Sequence, residues 1–240
     1  MSKRKPRLTK AERKLSASNA LTPGQSAPPP KGYVPAAGPE VLDVEIAGFS
    51  PPADLVIAQL PEEQRAFIYA IRAQKAAGTR PMPSASMLSV GDTPPLARRA
   101  ALLDKVAALV DQALSGRSNM CLQCAALLQR ALAALGFAAT AKEGQATFKR
   151  LDGSSFAWRH AWVEISDGST IDGNADSIRE NPFVGSGCHA EAFWGPRAEL
   201  PRDRSFPLGS ALLPQDFNDI DVVRTWWPAL QSWMRSRGWI

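Results

Sequence analysis

"NMCLQCAALLQRALAALGF", residues 119–137, runs from two cysteines three apart directly into an alanine- and leucine-rich segment. Cys121, Ala125, Leu128, Leu132 and Leu135 recur at spacings of 4, 3, 4 and 3, one continuous apolar stripe on a helix that Gly136 is placed to end. Cys121 therefore opens a helix with a buried face, where unpaired N–H groups and the macrodipole favour a thiolate. Cys124 points about 60° away on the helical wheel and has no such claim. From these residues alone three readings stay open: a metal-binding CxxC, a core helix that carries thiols, and a helix N-terminus that activates a nucleophile.

Downstream the apolar period changes from about 3.6 to about 2. The segments "QATFKR" (145–150), "SFAWRHAWVEI" (155–165) and "STIDG" (169–173) alternate, and "LDGS" and "SDGS" separate them as turns. A helix followed by an antiparallel meander is expected. His160, Trp162 and Glu164 share one face of the middle strand, and Ala161, Val163 and Ile165 share the other. Asp172 ends the next strand, within cross-strand reach of the first half of the middle one. Upstream, "PEEQRAFIYAIRAQKAAG" (61–78) reads as a helix from Pro61 to Gly78, with two glutamates at its positive end and Leu60, Phe67, Ile68 and Ile71 on its apolar side. After a loop rich in Pro, Ser and Gly, Thr93 can cap a second helix whose first turn holds Pro94 and Pro95. Leu102, Val106, Leu109, Val110 and Ala113 form its stripe.

A cysteine opening a helix that ends in Leu-Gly-aromatic, then a strand reading "HAWVEI", then "DG" after the following strand, resembles the transglutaminase-like superfamily of papain-type thiol enzymes. Bacterial proteins that process lasso-peptide precursors are similar in the same features. The resemblance covers residues 97–176. It implies an α+β transglutaminase-like (papain-like) core, with the Cys-bearing helix packed on an antiparallel sheet. It also implies Cys121 as nucleophile, His160 as general base and acid, and Asp172 as the group that orients the imidazole. The expected chemistry is acyl transfer from an amide through a thioester, in a cysteine peptidase or amide hydrolase acting on a peptide or protein, with no cofactor required. The backbone N–H of Cys121 is a natural oxyanion donor, and Asn119 is a second candidate. Many members of the superfamily place Gly or Trp just before the nucleophile, where this chain has Asn119-Met120.

Other candidates lie nearby. Asn174 in "DGNAD" can hydrogen-bond near Asp172 or form a turn; Trp158 and Trp162 flank His160 and can wall a site or fill the core; His189, in the loop "GSGCHAEAFWGP", can border the cleft. Two alternatives of other classes remain. One is a non-catalytic binding or scaffold protein that keeps the fold. The other is a zinc-stabilised module built from Cys121, Cys124, Cys188 and either His160 or His189.

The rest of the chain bounds these readings. Residues 1–15 carry seven basic side chains against Glu12, a balance of +6, so the remainder holds −1 of the total of +5. The basic character thus belongs to a tail that can touch nucleic acid or an acidic partner without sequence preference. A proline-rich linker follows. Residues 1–41 are therefore expected to be a disordered tail and linker, and 42–240 the folded catalytic domain. Three cysteines do not make a disulfide framework, and no apolar run is long enough to span a membrane, which points to the cytoplasm. The C-terminal stretch "NDIDVVRTWWPALQSWMRSRGWI" places Ile220, Val223, Trp227, Leu230 and Met234 at helical spacing, with Pro228 bending or restarting the helix. Its tryptophans are expected to pack across the catalytic core.

Overall fold

In the computed structural model of the chain, the residues described are 57–79, 94, 96–181, 187–207 and 209–240. The tail and linker over 1–41, the boundary near residue 42 and the Thr93 cap lie outside them. Helix α1, Glu62–Ala77, starts behind Pro61 with Glu62 and Glu63 in its first turn. It stops at Gly78, whose left-handed backbone (φ 68°) returns its N–H to the last carbonyls. Ile68 and Ile71 are its buried apolar residues. Helix α2, Leu96–Val110, buries Leu102, Leu103, Val106, Leu109 and Val110. Helix α3, Cys121–Ala134, has no acidic or hydroxyl cap, and its stripe is buried from Cys121 through Leu132.

The sheet is antiparallel, in the order β4-β3-β2-β1-β5, with β6 also paired to β1. Strands β1 (Ala139–Lys149) and β2 (Ser155–Ile165) form a long hairpin, from Ala139↔Ile165 at the base to Lys149↔Ser155 at the tip. Its turn contains Gly153 at φ 83° and an Asp152 carboxylate accepting the Ser154 N–H. Strand β3 (Ser169–Asp172) pairs with β2 through Val163↔Ile171, and with β4 (Phe193–Pro196) through Asp172↔Phe193. The short strands β5 (Arg204–Ser205) and β6 (Ser210–Ala211) complete the sheet on β1. The chain is therefore α+β, helices on an antiparallel curled sheet.

Alternation divides the hairpin between two cores. Ala141, Ala161, Val163 and Ile165 pack with α2 and α3, whereas Ala146, Phe148 and Trp162 pack with Ile178, Cys188, Ala190 and Phe206. The larger core is closed by the C-terminal segment. Val222, Trp226, Leu230 and Met234 are buried in it, and Trp227, Trp233 and Trp239 lie partly buried against it. A short helix α4, Pro214–Phe217, precedes this segment. Pro228 has no N–H to give, and the chain accommodates it with a π turn over Val222–Trp226 before helix α5, Trp227–Ser236. The helix is restarted next to Pro228 as expected, but Val222 and Trp226 are buried where the stripe expected Val223 and Trp227.

Candidate active site

The strand register brings the predicted residues to one place. Extending the β2–β3 ladder by one step sets Asp172 opposite Trp162, hence on the same side of the sheet as His160. His160 Nε2 lies 2.8 Å from Asp172 Oδ1. The Cys121 side chain stands beside the same imidazole, close enough to be among the groups that raise its pKa. Cys121 is 9% exposed, His160 1% and Asp172 0%, so the chain of contacts runs inward from the helix end to a buried carboxylate.

Burial alone would pull the His160 pKa down. The Asp172 charge and hydrogen bond and the Cys121 contact overcome it, and the pKa rises to about 10. Asp172 is held below the usual carboxylate range despite its burial, because His160 and Arg204 flank it with positive charge. Arg204 Nη1 donates to Asp172 Oδ2 at 2.7 Å, and its Nε donates to Asp203. Arg204 stands opposite Phe148, which stands opposite Phe156, so register places it on the His160 side of the sheet. Both carboxylate oxygens of Asp172 are therefore committed. Burial pushes the thiols of Cys124 and Cys188 up.

A small cleft opens over Cys121 and His160, lined also by the apolar Trp158 and Ile178 and the polar Asn119, Asn174, Ser177 and Asn181. Asn119 has φ 63°, the one left-handed non-glycine among the described residues. This turn redirects the chain into α3, and Asn tolerates it better than most residues. The Asn119 Oδ1 accepts from Asn181 Nδ2 at 2.9 Å, which turns its own Nδ2 elsewhere. No side chain caps α3, and the N–H groups of its first turn precede the first intrahelical bond, Cys124 N–H to Met120 C=O.

Two further contacts hold the cleft walls. Arg117, in the loop before α3 and fully buried, forms a bidentate pair with Asp176 at 2.8 and 2.7 Å in the 3-10 helix Ala175–Glu180. Its backbone N–H donates to Asp111, and its carbonyl accepts from Asn174 Nδ2. Gly173, between Asp172 and Asn174, touches α2 and α3. A Cβ there would stand 3.0 Å from side-chain carbons of both Leu103 and Leu128. Gly173→Ala is therefore expected to destabilise the fold by about 1–3 kcal/mol, read as a lower urea midpoint with unchanged slope.

The structure thus brings together Cys121, His160, Asp172, Asn119 and Asn174, and places Trp162 and His189 elsewhere. Trp162 is a packing residue: its ring stacks on Phe206 at 4.6 Å and fills the space left by Gly144 and Gly209. His189 is exposed and outside the cleft lining. Of the flanking tryptophans, Trp158 is the one at the cleft. The zinc arrangement is not formed: Cys188 makes an isolated backbone β-bridge with Arg150, just beyond the end of β1, and among the described residues no group of three His, Cys, Asp or Glu side chains is placed to hold a metal ion. Arg204, Arg117, Asp176 and Asn181 were not found from sequence; the one available signal was Arg117 in "SGRSN" just before the Cys helix. Among the described residues no helix is long and apolar enough to cross a membrane. No family model, curated protein or solved structure matches the chain.

Proposed function

We propose that the chain is a thiol-dependent acyl-transfer enzyme of transglutaminase-like fold, a cysteine peptidase or amide hydrolase working through Cys121, His160 and Asp172. The observation that carries this reading is the His160–Asp172 hydrogen bond with Cys121 beside the same imidazole, Cys121 and His160 lining one cleft; the raised His160 pKa favours its protonated form. A protonated imidazole beside a thiol supports a thiolate, and the fixed Asp172 keeps the ring in place.

The thiolate attacks the carbonyl carbon of an amide and forms a tetrahedral oxyanion. The Cys121 N–H and Asn119 Nδ2 are its donors. His160 gives its proton to the leaving amine as the C–N bond breaks, leaving a thioester on Cys121. Neutral His160 then takes a proton from water, whose oxygen attacks the thioester, and the acid departs as the thiolate and imidazolium return. An amine in place of water gives transamidation by the same steps.

The test is the pH dependence of iodoacetamide labelling at each cysteine, in wild type and His160→Ala. Cys121 alone is expected to label rapidly below about pH 7 and to lose that reactivity without His160, while Cys124 and Cys188 stay slow. Equal, slow labelling of all three would overturn the proposal in favour of a binding protein that keeps the fold.

A further inference from the structure

Asn174 begins the 3-10 helix Ala175–Glu180, a position where an Asn side-chain oxygen normally accepts an N–H from the first turn. Here it does not. The Ser177 N–H and Oγ both go to the Asn174 main-chain carbonyl, and the side chain is turned away from its own helix. Its Nδ2 donates to the Arg117 carbonyl at 3.1 Å. A carbonyl can only accept, so this contact fixes which end of the amide is which. The Oδ1 is left without a hydrogen-bond partner on a residue 3% exposed that lines the cleft beside Cys121 and His160. An unpaired buried acceptor is costly to keep, and local structure offered it a partner that the fold does not use.

We propose that Asn174 Oδ1 accepts the N–H of the scissile amide, making it the specificity-determining residue that selects amides bearing N–H over esters and tertiary amides. The inference rests on the thiol-enzyme reading above and names the substrate class of that site. A trans amide presents its carbonyl oxygen and its N–H in one plane, pointing in opposite directions. With the oxygen on the Cys121 and Asn119 donors, the N–H is directed to the other side of the thiol, where Asn174 supplies the missing acceptor. Holding that hydrogen also fixes the nitrogen that must receive the proton from His160. An ester oxygen or a tertiary nitrogen has no hydrogen to give, and would leave the Asn174 oxygen unpaired in the complex.

The test uses two reagents of nearly equal size, N-methyl-2-iodoacetamide and methyl 2-iodoacetate, which differ by N–H against O. In each, the Cys121 sulfur displaces iodide while the carbonyl can occupy the oxyanion donors. Rates at Cys121 are divided by the rates with glutathione to remove intrinsic reactivity. Wild type is expected to favour the amide by about tenfold beyond the glutathione ratio, the worth of one hydrogen bond. Asn174→Leu, which keeps the volume and removes the acceptor, is expected to fall to the glutathione ratio. Asn174→Asp, which loses the donor to Arg117 but keeps an acceptor, is expected to retain the preference, a result that mere loosening of the loop would not give. Slow labelling of Cys124 and Cys188 reports that each variant is folded; where Asn174→Leu is not, the wild-type ratio and Asn174→Asp decide. A wild-type ratio equal to that of glutathione, or a preference that persists in folded Asn174→Leu, overturns the inference. A fast, His160-dependent rate without amide preference sinks this inference alone, whereas absence of any rate enhancement sinks it together with the thiol-enzyme reading.

Discussion

Asp172→Asn is expected to slow Cys121 acylation at neutral pH by about 10²- to 10⁴-fold, and its alkylation by about tenfold, while leaving the helix and sheet in place. The reason is the balance at His160. Burial pulls its pKa down, and the Asp172 charge and hydrogen bond are the first and second of the influences that lift it from 6.5 to about 10. Asparagine keeps a hydrogen-bonding oxygen but no charge, so burial regains control and the imidazole becomes neutral at neutral pH. Arg204 adds to the effect, since its guanidinium retains Asp203 but loses the carboxylate at 2.7 Å and then opposes a second positive charge nearby. The alkaline limb of the wild-type rate profile is expected near the His160 value of about 10, and the variant's limb well below it.

The same substitution changes how stability depends on pH. His160 is raised in the folded state, so its contribution is complete below 6.5 and is lost as pH rises from there through about 10. Asp172 is depressed, so its contribution is complete above 3.8 and is lost as pH falls through that range and below. Wild type is therefore expected to be most stable between 3.8 and 6.5 as far as this pair is concerned, and to weaken on both sides. In Asp172→Asn both slopes are expected to flatten. Urea midpoints measured on both sides of that window, up to about pH 10, check this, and an unchanged alkaline slope would show that Asp172 does not hold the His160 proton.

What the sequence made legible here is what local periodicity controls. The 4-3-4-3 stripe from Cys121 to Leu135 requires a helix whichever fold surrounds it, and the alternation through "SFAWRHAWVEI" requires a strand with His160 and Ala161 on opposite sides. Asp172 at the end of the next strand then follows from hairpin register. The first half of β1, Ala139–Gly144, is small and mixed in polarity, so the strand was expected to begin only at Gln145. It is ordered by pairing with β2 rather than by its own propensity. Arg204 was invisible for a different reason. It acts from a two-residue strand, 32 positions beyond Asp172, and nothing in "RDRSF" distinguishes it from a surface arginine. Trp162 shows the converse: the pattern sets it on the site's side of the sheet, yet the glycines at 144 and 209 leave room for its ring to turn into the second core.

Arg117 and Asp176 are 59 residues apart in sequence, and together they test whether the cleft depends on a buried ion pair. Arg117 is 0% exposed and Asp176 2%, so removing one partner strips a buried charge of its bidentate partner, with Arg117 left only the longer contact to Glu180 at 3.6 Å. Arg117→Met is expected to destabilise the fold by about 3–5 kcal/mol, and Asp176→Leu by a similar amount. The double variant is expected to recover most of that loss, because two apolar side chains can replace a desolvated pair at little net cost. Activity is expected to separate from stability in that double variant. The pair joins the loop that delivers Asn119 and Cys121 to the 3-10 helix that carries Ser177 and Ile178, and all four line the cleft. Hydrophobic replacements restore packing, but they lose the two parallel hydrogen bonds that fix the distance between the walls. The double variant is therefore expected to unfold near the wild-type urea midpoint, yet to label at Cys121 at least about tenfold more slowly, since small displacements of positioned groups reduce rates strongly. Equal labelling rates in the double variant and wild type would show that the ion pair serves the fold alone, and that Cys121 is positioned by α3 and the sheet without it.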